Sequence, residues 1–248
     1  MEALATPTIS ILAPQGAYTF TRTSAPGKAS AFRAEFQNVA QLKRTRPATV
    51  FDIASRLQLV PRKLFRHEDR VAYMRGQYPM VSPDKVATVM LPLLDAVGVY
   101  ERTDASPDAI PTGHHVAELL LARVVTLMAS STSTLAALFV IRDAMWIVLA
   151  KRGEVSYLQT HHLAGAEDAV FYVKAMMEQY GLEAATTPVF AGGSFTAEGQ
   201  LGRLLSIYFD VRELTSVGAN QSPAGELGAH ELLAAYEHAL RRNIGQGG

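Results

Sequence analysis

The sequence predicts a mixed α/β fold made of two halves, each opening with a three-strand antiparallel meander. Short β-branched and apolar segments separated by turn residues begin the chain, and the same pattern recurs after a polar break at Ser130–Thr134. The second half then alternates helical and strand patterns. The predicted subdomains are residues 1–130 and 131–248, with a terminal helix at 228–242 available to pack back on the first.

Composition excludes several classes of protein. Of 248 residues, 48% are apolar and 19% charged, which is too apolar for a disordered chain. Lys and Arg together number 23 and so do Asp and Glu, so no basic excess points to a nucleic acid partner. With no Cys, disulfide frameworks and thiol catalysis are excluded, and the composition fits a reducing compartment without proving one. The sequence shows no signal-peptide pattern and no apolar run long enough to span a membrane, so we expect a cytoplasmic protein.

The elements of the first half follow from turn residues and β-branched runs. The segment Val50–Val60 fits either two strands with a turn near Ser55 or one short helix. A charged helix is predicted at His67–Arg75, and a helical period follows at His115–Met128. The predicted strands are Thr8–Ala13, Ala17–Arg22, Ser30–Gln37, Val86–Leu91 and Ala96–Arg102.

The elements of the second half repeat the meander and extend it. Lys151–Glu154 has the composition of a hairpin turn, and Gly181 is placed to end a helix. The predicted strands are Leu135–Ile141, Met145–Ala150, Val155–Thr160, Pro188–Ala191 and Tyr208–Leu214. The predicted helices are Ala166–Tyr180, Ala197–Ser206 and Gly228–Arg242.

Four segments, taken in order, carry a resemblance to a known family. They are Leu59–Phe65, Leu94–Tyr100, Val155–Tyr172 and Pro188–Gly193. The chain resembles a bacterial family of proteins of unknown function with an actin-like ATPase fold, known mainly from Bacteroidota. More distantly it is similar to the PilM-like and FtsA-like members of the actin, chaperone and sugar-kinase superfamily. The resemblance implies a duplicated actin-like (ribonuclease H-like) fold with two subdomains, and it implies no activity.

In that superfamily two meander hairpins hold the nucleotide phosphates, each with an Asp followed by Gly and small residues. The glycine lets the backbone approach, the amides cradle phosphate and the Asp positions a metal ion. Here the first hairpin keeps Gly16 and Thr19 but has no Asp. The second has Asp143, followed by the bulky run Ala144–Trp146. A strand-end pair, Gly192 and Gly193, matches the part of the family that packs near adenine and ribose.

Each of these residues also has a purely structural interpretation. Asp143 suits a solvated hairpin beside Arg142, and Gly192-Gly193 suits a tight turn that requires a positive φ. The histidine pairs His114-His115 and His161-His162 do not converge on one metal ion, because adjacent residues point in different directions in a strand or a helix. We therefore expect no metal site.

The loss of the phosphate-loop pattern predicts a non-hydrolysing interaction or assembly module with a protein partner. The alternative is an ATP-binding ATPase or small-molecule kinase, in which Asp143 would hold Mg²⁺ and Gly16, Thr19, Gly192 and Gly193 would line the nucleotide cleft. A nucleic-acid role for the basic segment Lys43–Arg70 ranks last, since the chain has no net positive charge.

Overall fold

The structure is a computed structural model that describes residues 8–13, 16–23, 31–37, 49–103, 114–129, 134–141, 143–193 and 195–214. The chain divides between Glu118 and Leu119 into two compact units, called unit 1 and unit 2. The boundary predicted at residues 130 and 131 and the helix predicted at 228–242 lie outside the described residues and stay predictions.

Unit 1 is built on a five-stranded mixed sheet. Its order is β3-β2-β1-β4-β8, with the first three strands antiparallel and β4 and β8 parallel to β1. The strands are β1 (Thr8–Ala13), β2 (Gly16–Thr23), β3 (Ala31–Gln37), β4 (Thr49–Asp52) and β8 (His114–His115). The predicted opening meander is confirmed.

Between β4 and β8 the chain forms a smaller antiparallel sheet of order β5-β7-β6. Its elements are β5 (Leu57–Pro61), α1 (Arg70–Gln77), β6 (Val86–Leu91) and β7 (Ala96–Glu101). Short 3₁₀ turns occur at Arg62–Leu64, His67–Asp69, Pro83–Lys85 and Pro92–Leu94. A core of Met74 from α1 with Val60, Val81, Val86 and Val99 holds the helix on the sheet.

The ambiguous segment at residues 50–60 is two strands, not a helix. Asp52 ends β4, and its carboxylate accepts a hydrogen bond from the amide of Ala54 at 2.9 Å. An Asp that bonds the backbone two residues on favours a turn over a helix. The β-branched residues on either side then pair in two different sheets.

Helix α2 (Val116–Ala129) crosses the division between the units and is buried along most of one face. Glu118 caps it, because its carboxylate accepts a hydrogen bond from the amide of His115 at 3.0 Å. No helix among the described parts of the chain is long and apolar enough to cross a membrane.

Unit 2 repeats the strand order and directions of the unit 1 sheet. The order is β11-β10-β9-β12-β13, with an antiparallel meander followed by two parallel strands. The elements are β9 (Leu135–Ile141), β10 (Ala144–Lys151), β11 (Glu154–His162), α3 (Ala166–Gln179), β12 (Val189–Gly193), α4 (Gln200–Tyr208) and β13 (Val211–Glu213). The duplicated topology predicted from the sequence is confirmed.

Local chemistry accounts for the turns of unit 2. Arg152 (φ 55°) and Gly153 (φ 84°) both have positive φ, which is the two-residue hairpin geometry that matches strand twist. Asp168 accepts hydrogen bonds from the amides of Ala164 and Gly165, at 2.8 and 3.2 Å, and so caps α3. The first seven residues of β10 are all buried, as expected for a sheet covered on both faces.

Gly193 is required by two independent constraints. Its φ is +84°, and a Cβ placed there would lie 2.1 Å from the carbonyl oxygen of Val140 in the neighbouring strand β9. Because the obstruction is backbone rather than a movable side chain, β12 and β9 would have to separate to admit any larger residue.

Gly193→Ala is therefore expected to lower the free energy of unfolding by roughly 3 kcal/mol, the sum of backbone strain and overpacking. Gly181→Ala is the matched control, since Gly181 has φ +63° but no atom within 4 Å of its added Cβ. The control is expected to lose only about 1 kcal/mol. Urea unfolding of both variants measures the difference, and equal losses would contradict the close approach as the cause.

Candidate functional site

In unit 1 the predicted phosphate hairpin and the end of a parallel strand lie at the same end of the sheet. Leu12 of β1 pairs with Asp52 of β4, and one residue later Ala13 pairs with Gly16 across the hairpin. Asp52 pairs in turn with His115 of β8. Parallel pairing thus places Asp52 and His115 at the hairpin end of the sheet. The two residues are far apart in the sequence, because the whole small sheet lies between β4 and β8 along the chain.

The two predicted site residues of unit 1, Gly16 and Thr19, lie at different positions along β2. Gly16 is the first residue of β2, at the hairpin end. Thr19 lies three residues farther along β2, opposite Ser10, and is only 4% exposed. Of the two, Gly16 is thus at the sheet end, whereas Thr19 is buried within the sheet. Their assignment to a nucleotide cleft stays a prediction.

Asp52 is a buried carboxylate that the sequence analysis did not identify. It is 1% exposed, and its two oxygens accept hydrogen bonds from the amide of Ala54 at 2.9 Å and the amide of Thr103 at 3.1 Å. Burial raises the pKa of Asp52 to about 6, against the opposing effect of these hydrogen bonds. Asp52 therefore joins the loop after β4 to the segment after β7.

His115 is the second buried polar group at this end of the sheet. Its Nε2 lies 2.8 Å from the carbonyl oxygen of Ala54, and its Nδ1 accepts a hydrogen bond from the amide of Ala117 at 3.1 Å. These partners require a neutral ring with the proton on Nε2. Burial lowers the pKa of His115 to about 4, so the ring is neutral at physiological pH. Both ring nitrogens are occupied by backbone groups, which is a structural role.

The sequence did carry a signal for Asp52. It is the one charged residue in the apolar run from Val50 to Ala54. A carboxylate in a buried strand requires hydrogen-bond partners. Thr103 is brought close by the pairing of β5 with β7 in the small sheet. The sequence predicted the strands at residues 86–91 and 96–102, but not the pairing of residues 57–61 with them.

In unit 2 the equivalent end of the sheet brings together Asp143, Gly192 and Gly193. Gly192 pairs with Phe139 and Gly193 with Val140, near the end of β9, and Asp143 lies in the connection that follows. The side chain of Asp143 is 67% exposed, and its Oδ2 lies 3.2 Å from Nδ1 of His162. The backbone carbonyl of Asp143 also accepts a hydrogen bond from the amide of Leu163 at 2.7 Å. Asp143 thus has an ionisable partner that the sequence analysis did not identify.

The residues after Asp143 are strand residues rather than a loop. Ala144 pairs with Ile141, so only residues 142 and 143 connect β9 with β10. Met145 and Trp146 are completely buried on opposite faces of the sheet, with Met145 in the core under the helices. The Nε1 of Trp146 has no hydrogen-bond partner among the described residues.

The two histidine pairs diverge, as their adjacency predicts. His161 stacks on the ring of Tyr172 at 3.8 Å between centroids, whereas His162 faces Asp143. His114 lies 3.2 Å from the carboxylate of Glu118, whereas His115 is buried. Over the described ranges, no three His, Asp or Glu side chains are grouped in a way that could hold a metal ion.

A family model described as a protein of unknown function, DUF3822, matches residues 49–211. The chain belongs to this family. No curated protein matches it.

Comparison with solved structures confirms the fold of this DUF3822 chain. A Bacteroides thetaiotaomicron protein with an actin-like ATPase fold and unknown function is similar with a TM-score of 0.70 and 14% identity, over 92% of this chain and 95% of that chain. The resemblance to bacterial proteins of actin-like fold and unknown function is thereby confirmed.

Two further structures are similar at lower scores. A PilM–PilN type IV pilus biogenesis complex gives a TM-score of 0.47 at 14% identity, covering 96% of this chain and 98% of that chain. The ethanolamine utilization protein EutJ from Carboxydothermus hydrogenoformans gives 0.46 at 9% identity, covering 94% and 90%. At these scores neither similarity says anything further about this chain.

The raised pKa of Asp52 predicts a pH-dependent contribution to stability. Between pH 3.8 and about 6 the folded state binds more protons at this site than the unfolded state. The stability from neutral Asp52 is therefore present at low pH and lost as the pH rises through about 6. Asp52→Asn abolishes this titration, so its unfolding free energy relative to wild type is expected to fall by roughly 2 to 3 kcal/mol as the pH drops from about 7 to 4.

Urea unfolding across this pH range measures the difference, and Glu183→Gln, an exposed carboxylate of unit 2, is the control. The hydrogen bonds from the amides of Ala54 and Thr103 favour the ionised carboxylate, and their effect is already contained in the pKa of about 6, so it adds nothing further to the slope. A pH-independent difference between Asp52→Asn and wild type would show that Asp52 titrates normally.

Proposed function

We propose that this protein is a cytoplasmic, non-hydrolysing interaction or assembly module of actin-like fold that binds a protein partner. The hairpin between β9 and β10 carries the proposal. Strand pairing continues up to Ala144, and the side chains of Ala144, Met145 and Trp146 are buried. A phosphate cradle requires successive amides that point toward the ligand, and amides held in a strand ladder do not.

The first hairpin supports the same conclusion. No Asp occurs between Ala13 and Thr19, and Ala13 pairs with Gly16, so only two residues connect the strands. The nearest described carboxylate on the adjoining strand, Asp52, already accepts two backbone hydrogen bonds and is buried. A carboxylate used in this way is not offered to a metal ion.

Exposed apolar side chains support a protein partner. Met80 is 92% exposed, and Leu64, Met90 and Leu93, also in the inserted small-sheet segment, are roughly half exposed or more. Large apolar side chains at the surface favour protein association when they are grouped. The inserted segment therefore supplies four of the seven large exposed apolar side chains among the described residues.

The alternative function, an ATPase or small-molecule kinase, is favoured by the position of Asp143. It is exposed and lies at the same sheet end as Gly192 and Gly193. In that function the carboxylate would hold Mg²⁺ bound to the phosphates of ATP. His162 would then have to release its contact with Asp143.

Calorimetric titration with ATP and Mg²⁺, together with a phosphate-release assay, separates the two functions. We expect no hydrolysis, and equal behaviour of wild type, Asp143→Asn and the control Asp210→Asn, since Asp210 lies before β13 and contacts Arg212. Saturable ATP binding with turnover, weakened at least about tenfold by Asp143→Asn but not by Asp210→Asn, would establish the enzyme instead.

Sedimentation of the protein with and without ATP and Mg²⁺ tests the assembly role. A non-hydrolysing module is expected to show the same oligomeric distribution in both conditions. Polymers that form only in the presence of ATP would contradict the proposal, because assembly would then be coupled to nucleotide.

A further inference from the structure

Strand β6 is an outer strand of the small sheet, since it pairs with β7 on one side only. Its 6 residues, Val-Ala-Thr-Val-Met-Leu, include no charged residue, no proline and no glycine. Outer strands usually carry a charge or a proline, because these residues prevent pairing with another chain. The other outer strands of the described sheets contain Arg33 and Glu35 (β3), Pro61 (β5), Glu154 (β11) and Arg212 and Glu213 (β13), or have two residues only (β8).

The backbone of β6 directs three pairs of N–H and C=O groups away from β7. The amide of Arg102 donates to the carbonyl of Lys85 at 2.9 Å, so these two residues form a hydrogen-bonded pair. Because such pairs alternate along an antiparallel ladder, every second residue from Lys85 bonds to β7 and the residues between them face outward. The outward residues are Val86, Thr88 and Met90, and no hydrogen bond to their outward groups occurs within the described parts of the chain.

The outward groups of β6 match those of a second copy in one antiparallel register. A two-fold axis through Thr88, perpendicular to the sheet, places Thr88 opposite Thr88 of the second copy and Val86 opposite its Met90. Each of these pairs joins two outward residues, which can exchange two hydrogen bonds. A register shifted toward the end of the strand would place Pro92, which has no N–H, opposite Val86. The 3₁₀ turn at Pro83–Lys85 limits a shift the other way.

The side chains favour the same register. The rotation keeps each strand's faces on the same side, so Met90, which is 47% exposed, would pack against Val86 of the second copy. The partly exposed Thr88 would meet a second threonine, a favourable cross-strand pair. Beyond them Lys85 would lie opposite Leu91 and Asp84 opposite Pro92. No two charges of like sign oppose each other, so nothing along the strand repels a second copy.

We propose that this protein pairs with a second copy of itself through β6, so that the two small sheets form one continuous sheet. The contact is isologous and closes as a dimer, because it uses the same strand of both copies. The proposal rests on the proposed function, since it names a second copy as a partner of the interaction module. One short strand from each copy forms a small interface, so we expect reversible association with a Kd between about 1 µM and 1 mM.

Sedimentation equilibrium of the full chain over a range of concentrations tests the pairing, in the absence of nucleotide. Thr88→Lys places two like charges opposite each other and is expected to weaken dimerisation at least about tenfold, and Thr88→Glu should do the same. An equimolar mixture of the two variants is expected to associate again, because Lys then lies opposite Glu. Met80→Lys is the control, since Met80 is 92% exposed and lies outside β6, and it should leave dimerisation unchanged.

Urea unfolding curves identify any variant that does not fold. Met90→Lys, at an exposed position, replaces the Thr88 variants in that case and should also weaken dimerisation, since it sets a charge against apolar Val86. The proposal is overturned if the wild type stays monomeric up to about 1 mM, if Thr88→Lys and Met80→Lys have equal effects, or if the mixture of Thr88 variants does not associate. Hydrolysis of ATP would contradict the proposed function but leave this result unaltered, because sedimentation is measured without nucleotide.

Discussion

In each unit, the first strand of the meander lies between two partner strands. It pairs antiparallel with the second strand of the meander and parallel with the strand that follows the meander. β1 lies between β2 and β4, and β9 lies between β10 and β12. Because parallel strands end at the same side of a sheet, this pairing places a hairpin beside a strand terminus in both units. The candidate residues at the sheet ends owe their positions to it. Asp52 pairs with Leu12, next to the Ala13–Gly16 pair of the hairpin, and Gly193 pairs with Val140.

The two units use this shared arrangement differently. In unit 2 the strands approach so closely that only glycine fits at residue 193, and β10 is buried on both faces from its first residue after the hairpin. In unit 1 the strand terminus ends in a carboxylate whose hydrogen bonds hold two loops together. Neither arrangement resembles an open phosphate cradle, and each has a structural cause that requires no ligand.

Buried polar groups fix the backbone around residue 54 at this end of unit 1. Ala54 donates its amide to Asp52 and offers its carbonyl to His115, so one residue links a buried acid and a buried base. A buried carboxylate or imidazole without partners would destabilise the fold by several kcal/mol. Satisfied in this way, the two groups specify one conformation of the loop after β4.

The sequence by itself determined the local elements and their duplication. Alternating apolar residues with Gly, Pro and Asp between them predicted both meanders, and the helix with Gly181 at its end needed no tertiary information. The tertiary structure decided what a local pattern does not encode. It showed residues 49–61 to be two strands in different sheets, made His114–His115 a strand and gave Asp143 a partner in His162. It also brought Asp52 to Thr103, because long-range pairing depends on the whole set of strands competing for neighbours, and no window of sequence contains that competition.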